Sequence, residues 1–513
     1  MRIARRWLTA ALALTMGLAH AQTPKETFDP LIDAVMARYR LPGLAVGVID
    51  HGEVIYMRTA GELARGSGQP VTPDALFKIA SNSKAMTATL LARLVEQGKL
   101  RWDDPVTRYL PAFRMFDPWV TQHMQVGDLL THRSGLREGA GDLMLWPEPN
   151  HFTRTDIVSA LAWLRPVYSF RAGYAYDNLL YVVAGEVAAA AGGAPYETLL
   201  KREVFEPLGL SRCRVGEWRR DAMAPVALPH VKHDDAYIPS MPDDPVVHPT
   251  TMEAAGGVQC SLNDMLAWAH QWLAPTPQQL SWLPQAQRDT LWTPYTPMPI
   301  SAQRRAWDGT RLYAYGYGWR IADVDGALTV SHTGTLSGMY SALYLLPDRQ
   351  SGFVVLINGD ADDARTVLVE VLLKHFTAPQ KARSVDSYAD ELAAKEHTRR
   401  TSRVPDTSAR HPATANELRS QLGTWRDPWF GDITLCPRDG GVIFATAKSP
   451  RLRGPVMRVG QRYLVQWEHG DAEAWLSPST GKDGLLHLSK VDPDADFSYD
   501  YEDLAFKHVR GCE

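Results

Sequence analysis

An excess of basic charge is missing from this sequence: 54 Lys and Arg face 58 Asp and Glu, for a net charge of −4. A chain without a basic footprint does not point to a nucleic-acid partner, so small-molecule chemistry is the better starting point. Cysteine is scarce as well, at four in 513 residues, which leaves room for two disulfides and no more. No internal repeat and no low-complexity tract is visible, so a repeat architecture is excluded. Beyond the first two dozen residues no uncharged stretch reaches transmembrane length, and no stable membrane anchor is expected.

What is present reads as an exported, two-domain chain. Residues 1–21 have the layout of a secretory signal: Arg2, Arg5 and Arg6, then an apolar run from Trp7 to Leu18, then Ala19-His20-Ala21 as a small-residue cleavage site. A periplasmic location is the expectation, with twin-arginine export a minor variant. Export permits disulfides, and Cys213 with Cys260 and Cys436 with Cys512 are the within-region pairs among three possible connectivities. The length exceeds what one hydrophobic core usually supports, and 45% hydrophobic with 22% charged residues is ordinary for a soluble globular protein.

Patterning divides the chain into residues 26–377, a polar and basic linker over 378–414 with one short helix around Tyr388 to Glu396, and an all-β segment over 415–513. In the first part a helix from Leu31 to Tyr39 precedes a hairpin, Leu44 to Ile49 and Val54 to Tyr56 around Asp50-His51-Gly52. Strands return at Leu328 to Ser331, Ser341 to Leu346 and Gly352 to Asn358, and a helix from Ala364 to Phe376 closes the region. Strands at both ends with helices between them predict an α+β layer in which the terminal segments share one antiparallel sheet. The last part, with short strands between Gly and Asp turns, predicts a small sandwich or barrel.

Ser81-Asn82-Ser83-Lys84 opens an apolar-faced helix, with Met86, Leu90, Leu91, Leu94 and Val95 at helical spacing and Gly98 as a stop. Three residues apart, Ser81 and Lys84 share a face, as a Ser/Lys acyl-transfer enzyme requires. The lysine must be neutral to take the serine proton, so its pKa must fall from about 10.4 towards 7, at a cost of roughly 4 kcal/mol of environment. The spacing is weak by itself: Ser479-Thr480-Gly481-Lys482 also fits it, in a Gly-containing turn where no function is expected. Two further groups are candidates to converge on the site. Tyr176-Asp177-Asn178 precedes a helical run, where the phenol suits a proton shuttle and the bland alternative is a core aromatic with Asn178 as helix cap. His332-Thr333-Gly334 follows a strand, with Gly334 admitting close approach and the Thr335 N–H facing outwards.

Together Ser81-x-x-Lys84, Tyr176-x-Asn178 and His332-Thr333-Gly334 resemble the penicillin-recognising serine hydrolases: class C β-lactamases, D,D-carboxypeptidases, D-aminopeptidases and related esterases. Supporting echoes are Leu129 to Leu136, Ala255-Gly256-Gly257 and Tyr315-Gly316-Tyr317-Gly318-Trp319, and the resemblance spans about Phe28 to Phe376. It implies a β-lactamase/transpeptidase-like antiparallel sheet flanked by helices, with a helical subdomain. It makes Ser81 the nucleophile, Lys84 its base and Tyr176 the shuttle to the leaving group. Asn178 orients Lys84 and the substrate amide, His332, Thr333 and Gly334 line the substrate, and the N–H groups of Ser81 and Thr335 form the oxyanion hole. No metal or cofactor is implied, and the partner is a small-molecule, short-peptide or ester substrate.

Two departures from the family pattern bear on substrate. His332 stands where many β-lactamases have lysine, and a mostly neutral imidazole is a weaker carboxylate anchor. Esterase or D-aminopeptidase-like chemistry is therefore expected ahead of β-lactamase or D,D-carboxypeptidase activity, with a non-hydrolytic sensor of cell-wall fragments as the alternative from another class. Asp177 would raise the pKa of Lys84 if it faced inwards, so it is expected to turn away. The C-terminal domain is expected to pack against the catalytic domain and not to wall its cleft.

Overall fold

The computed structural model describes residues 23–512, except 235, 241–243, 471 and 478–483. The signal-like residues 1–21 and the second Ser/Lys match at Ser479 to Lys482 lie outside the described residues.

An eight-stranded antiparallel sheet organises the first part, in the order Glu53–Gly61, Gly43–Asp50, Ser351–Ile357, Met339–Leu346, Ala327–Leu336, Arg320–Val324, Tyr313–Tyr315 and Thr296–Pro297. The two ends of the region meet as its second and third strands, where Leu44 to Ile49 pair with Ile357 to Gly352. The hairpin turn is only His51-Gly52, both at positive φ (49° and 78°), the backbone a tight two-residue turn needs to match strand twist. Alternation then splits the core. Leu44, Val46 and Val48 join Phe28, Ile32, Val35, Phe353, Val355 and Leu368 on one face, and Ala45, Ile49, Val354 and Leu356 face the helical side. Gly47 lies on that side beneath Leu266, whose side chain would stand 2.6 Å from an added Cβ.

Three boundaries and one burial pattern differ from the sequence expectation for identifiable reasons. The first helix begins at Pro24, because Thr23 and Glu26 form a capping box. Ser81 sits in a separate 3₁₀ turn, Ala80–Asn82, ahead of the helix Ser83–Glu96. That helix is buried along almost its whole length, from Ser83 through Ala92, and is therefore central and not amphipathic. His332-Thr333-Gly334 lies inside the strand Ala327–Leu336, which outruns its Arg320–Val324 neighbour at Ser331.

The stretch read as a linker holds a 19-residue helix, Val385–Arg403, whose Val385, Tyr388, Ala389 and Leu392 are buried against the first part. Its basic residues are paired along and beyond the helix, Arg399 with Glu396 and Asp492 and Arg403 with Asp494. The following β segment is a closed eight-stranded barrel. Gly423–Asp427, Gly431–Arg438, Gly441–Thr446, Arg453–Val459, Arg462–Val465, Ala474–Ser477, Leu486–Lys490 and Ala505–Arg510 pair in sequence, and the last returns to the first. Closure leaves no free edge in the ring, and Trp425, Leu435, Phe444, Val465, Leu476 and Phe506 are among the side chains buried in it. Both within-region disulfides, Cys213–Cys260 and Cys436–Cys512, are present. Among the described residues no single helix is long and apolar enough to cross a membrane.

Candidate active site

Three pieces distant in sequence meet around Lys84, which is fully buried. Its Nζ lies 2.8 Å from Asn178 Oδ1, 2.8 Å from the Ala255 carbonyl and 3.2 Å from Ser81 Oγ. Two of these partners are carbonyl oxygens and can only accept, so both take N–H groups. A neutral amine has only two N–H bonds, which leaves its lone pair for the Ser81 hydroxyl. Burial pushes the lysine pKa down to about 7, against the raising effect of Asp142; Arg320 lowers it further and Asp177 raises it. The amine is thus available as a base near neutrality.

Tyr176 completes the triangle. Nζ of Lys84 stands 4.7 Å from its ring centroid, and the Ser81 side chain is among the groups that act on its hydroxyl. Burial raises the phenol pKa, with Arg320 and Ser81 opposing, so Tyr176 carries its proton at neutral pH. Asp177 turns away from Lys84, as its charge required. Oδ1 accepts from the Leu180 N–H (3.2 Å) and Oδ2 from Ser134 Oγ (3.3 Å). It is Asp177 that caps the helix Leu179–Gly192, and Asn178, the cap suggested by sequence, spends its side chain on Lys84 and Asp142 instead. Burial raises Asp177 to about 6, with those bonds opposing.

The motif strand lies directly on the nucleophile turn. An added Cβ at Gly334 would stand 2.2 Å from the Ile79 carbonyl, 2.4 Å from Ser341 Oγ and 2.9 Å from Ala80 Cβ. Ser341 Oγ in turn donates to the Ile79 carbonyl (2.7 Å) and accepts from Asn82 Nδ2 (2.8 Å). Ala80 itself has φ 49°, a left-handed conformation that costs a non-glycine residue about 1 kcal/mol or more and is held by this packing. Gly334→Ala is therefore expected to lower kcat/KM at least about 100-fold and to lower Tm, since the nearest blocking atom is backbone. Unchanged kinetics in that variant would show that the contact does not position Ser81.

His332 is brought to the site as a buried, neutral ring. Its Nδ1–H donates to the Thr333 carbonyl (2.7 Å), so Nε2 accepts from Tyr315 Oη (2.8 Å). Burial, then Arg320 and Lys84, hold its pKa well below the usual imidazole value. Thr333 presents its hydroxyl to Arg320 Nη1 at 2.7 Å, whereas Thr335 Oγ1 accepts from Arg365 (2.7 Å), which also bonds the Gly334 carbonyl. Among the described residues, strand pairing of the motif strand with Arg320–Val324 stops at Ser331.

Four further residues to which the sequence reading gave no individual role lie around the site. Arg320, immediately after Tyr315 to Trp319, is the permanent cation that His332 is not, and it acts electrostatically on Lys84, Tyr176 and His332. With Arg304, Thr333, Tyr344 and Arg365 it lines a cavity of about 240 Å³ beside the motif strand. His132, at φ 54° within Leu129 to Leu136, lies 4.2 Å centroid to centroid from Tyr176 and accepts the Asp177 N–H on Nδ1. Asp142 accepts from Asn178 Nδ2 at 2.8 Å and from Ser498 Oγ at 2.8 Å. Ser498 belongs to the barrel, and its neighbour Phe497 lies 5.7 Å from the Tyr176 ring. The C-terminal domain therefore reaches the site as well as packing against the first part.

Known proteins share this arrangement of chain. The family model described as Beta-lactamase matches residues 28–375. An unguisins hydrolase of Aspergillus campestris is 24% identical over 445 residues, covering 82% of this chain and 80% of its own. Penicillin-binding protein 4 of Amycolatopsis lactamdurans is 27% identical over 331 residues, covering 64% and 83%. Esterase EstB of Burkholderia gladioli is 34% identical over 200 residues, covering 36% of this chain and 50% of the esterase. Among solved structures, an octameric penicillin-binding protein homologue from Pyrococcus abyssi superposes with a TM-score of 0.60 at 18% identity, over 90% of this chain and 97% of that one. A class C β-lactamase superposes with a TM-score of 0.56 at 21% identity, over 70% and 98%. The matched segment contains Ser81, Lys84, Tyr176 and His332, and the chain belongs to the beta-lactamase family.

Proposed function

We propose that this protein is an exported serine hydrolase that forms an acyl-enzyme on Ser81 and releases the acyl group to water. The observation that carries the reading is the coordination of Lys84, two carbonyl acceptors with the third direction given to Ser81. In the acylation step Ser81 Oγ attacks the carbonyl carbon of an ester or amide while its proton passes to Lys84. The C–O or C–N bond breaks as Tyr176 delivers a proton to the leaving group, and Lys84 restores the Tyr176 proton. Water repeats the sequence on the ester and frees Ser81. The N–H groups of Ser81 and Thr335 are the oxyanion donors in this scheme. The signal-like residues 1–21 and two disulfides support an exported, periplasmic protein.

The neutrality of His332 favours ester or D-aminopeptidase-like substrates for want of a carboxylate anchor. Arg320, hydrogen-bonded to Thr333, supplies such an anchor from another strand. It supports a second reading, in which the substrate carries a carboxylate close to the scissile bond, as a D-amino-acid terminus or a β-lactam does. Matched peptides with a free or an amidated C-terminal D-alanine, set beside p-nitrophenyl acetate, separate the two. If Arg320 is the anchor, Arg320→Gln lowers kcat/KM for the free acid about 10- to 100-fold and leaves acetate ester turnover within a few-fold. Equal losses on all three substrates would reject the carboxylate reading and leave the esterase one.

A further inference from the structure

The barrel touches the catalytic machinery at one loop, between Leu486–Lys490 and Ala505–Arg510. There Ser498 Oγ donates to Asp142 Oδ2 (2.8 Å), and Asp500 Oδ2 accepts the Gly141 N–H (2.6 Å). An added Cβ at Gly139 would meet the Phe497 carbonyl at 2.6 Å, and Gly139, at φ 72°, donates its N–H to the Tyr176 carbonyl. The loop thus grips the turn 139–142, and that turn holds Asn178 through Asp142. Asp142 is fully buried and its other oxygen, Oδ1, has no partner among the described residues, so the two hydrogen bonds to Oδ2 are the ones that favour its carboxylate form.

We infer that the C-terminal barrel donates a positioning residue to the active site: Ser498, through the chain Ser498–Asp142–Asn178–Lys84, sets the balance between charged and neutral Lys84. This rests on the proposed role of Lys84 as base. A hydroxyl donating to Asp142 favours its carboxylate form, and a carboxylate one amide away favours the ammonium form of Lys84. Burial pushes Asp142 well above the ordinary carboxylate range, while the bonds from Asn178 and Ser498 draw it down. The other groups facing the pair are in place on every side. Asp177 and Asp500 act on Asp142, and Arg320 and Asp177 act on Lys84. The rings of Tyr176 and Tyr181 flank the ammonium, and His132 and His332 are held neutral beside it. Two titrating groups that share one amide are coupled, so losing the Ser498 hydroxyl moves the proton towards Asp142 and away from Lys84.

The test reads Lys84 directly, by a ¹³Cε NMR titration of the full-length protein with Lys84→Met to assign the signal. Ser498→Ala is expected to move the Lys84 titration down by about half a pH unit, Asp142→Asn to move it down further, and the double variant to match Asp142→Asn alone. Ser498→Thr, which keeps the hydroxyl, is expected to titrate as the wild type does. An unmoved titration in Ser498→Ala, or a shift that adds in the double variant, overturns the inference. Failure of the hydrolase reading shows separately, as wild-type protein that a fluorophosphonate does not label at Ser81.

Discussion

Ser81→Ala is expected to lower kcat/KM by roughly 10⁴- to 10⁶-fold, the loss seen when the nucleophile of a serine hydrolase is removed, with the fold intact. Folding should survive because the hydrogen bond that Ser81 Oγ makes runs to Lys84 within the site. The turn is held by other groups, the Ser83 Oγ bond to the Ala80 carbonyl and the Asn82 bond to Ser341. Lys84 keeps both carbonyl partners in the variant. Turnover of p-nitrophenyl esters and intact mass after fluorophosphonate treatment check this together: wild type gains one adduct and the variant none. Full activity in Ser81→Ala would move the nucleophile elsewhere.

Lys84→Met is expected to cost about 10²- to 10⁴-fold in kcat/KM, the contribution of a well-placed general base, and to change the pH profile as well as its height. The base must be neutral, and burial sets the lysine pKa at about 7, so wild-type kcat/KM should rise with pH through that value. In Lys84→Met the inflection should vanish. A stability signature follows with its sign. The folded lysine titrates near 7 and the unfolded one near 10.5, so between those values the unfolded chain binds more protons and wild-type stability gains with rising pH. Chemical denaturation at pH 7 and pH 9.5 should show the wild type gaining on Lys84→Met over that interval. A pH profile that keeps its inflection in Lys84→Met would assign the base to another group.

Local pattern made much of this molecule legible. The hairpin at His51-Gly52, the strands at 339–346 and 351–357 and the turn-rich C-terminal strands follow from period-two alternation and turn residues within one stretch of chain. Ser81 and Lys84 are three residues apart in a helical segment, so their proximity was available before any tertiary contact. The long helix Val385–Arg403 was seen only in part, because its polar face dominates its composition and only four side chains are buried. The role of Asp177 followed from charge alone, and the capping partners that hold it away from Lys84 are near in sequence.

The residues that escaped are those whose role exists only across distance. Nothing near Arg320 in sequence marks it as the cation of the site; its place depends on the strand register that sets it opposite Ser331 and beside Thr333. Asp142 and Ser498 are 356 positions apart, and the hydrogen bond between them exists only once the barrel docks on the turn 139–142. The sequence by itself determined which chemistry is possible, because a hydroxyl and an amine one helical turn apart depend on local geometry. Only the tertiary structure decided how readily that amine gives up its proton, because pKa is set by burial and by charges that long-range packing brings together. It also decided that the barrel belongs to the site, because a closed barrel spends its strand edges on itself and leaves its loops to make the contact.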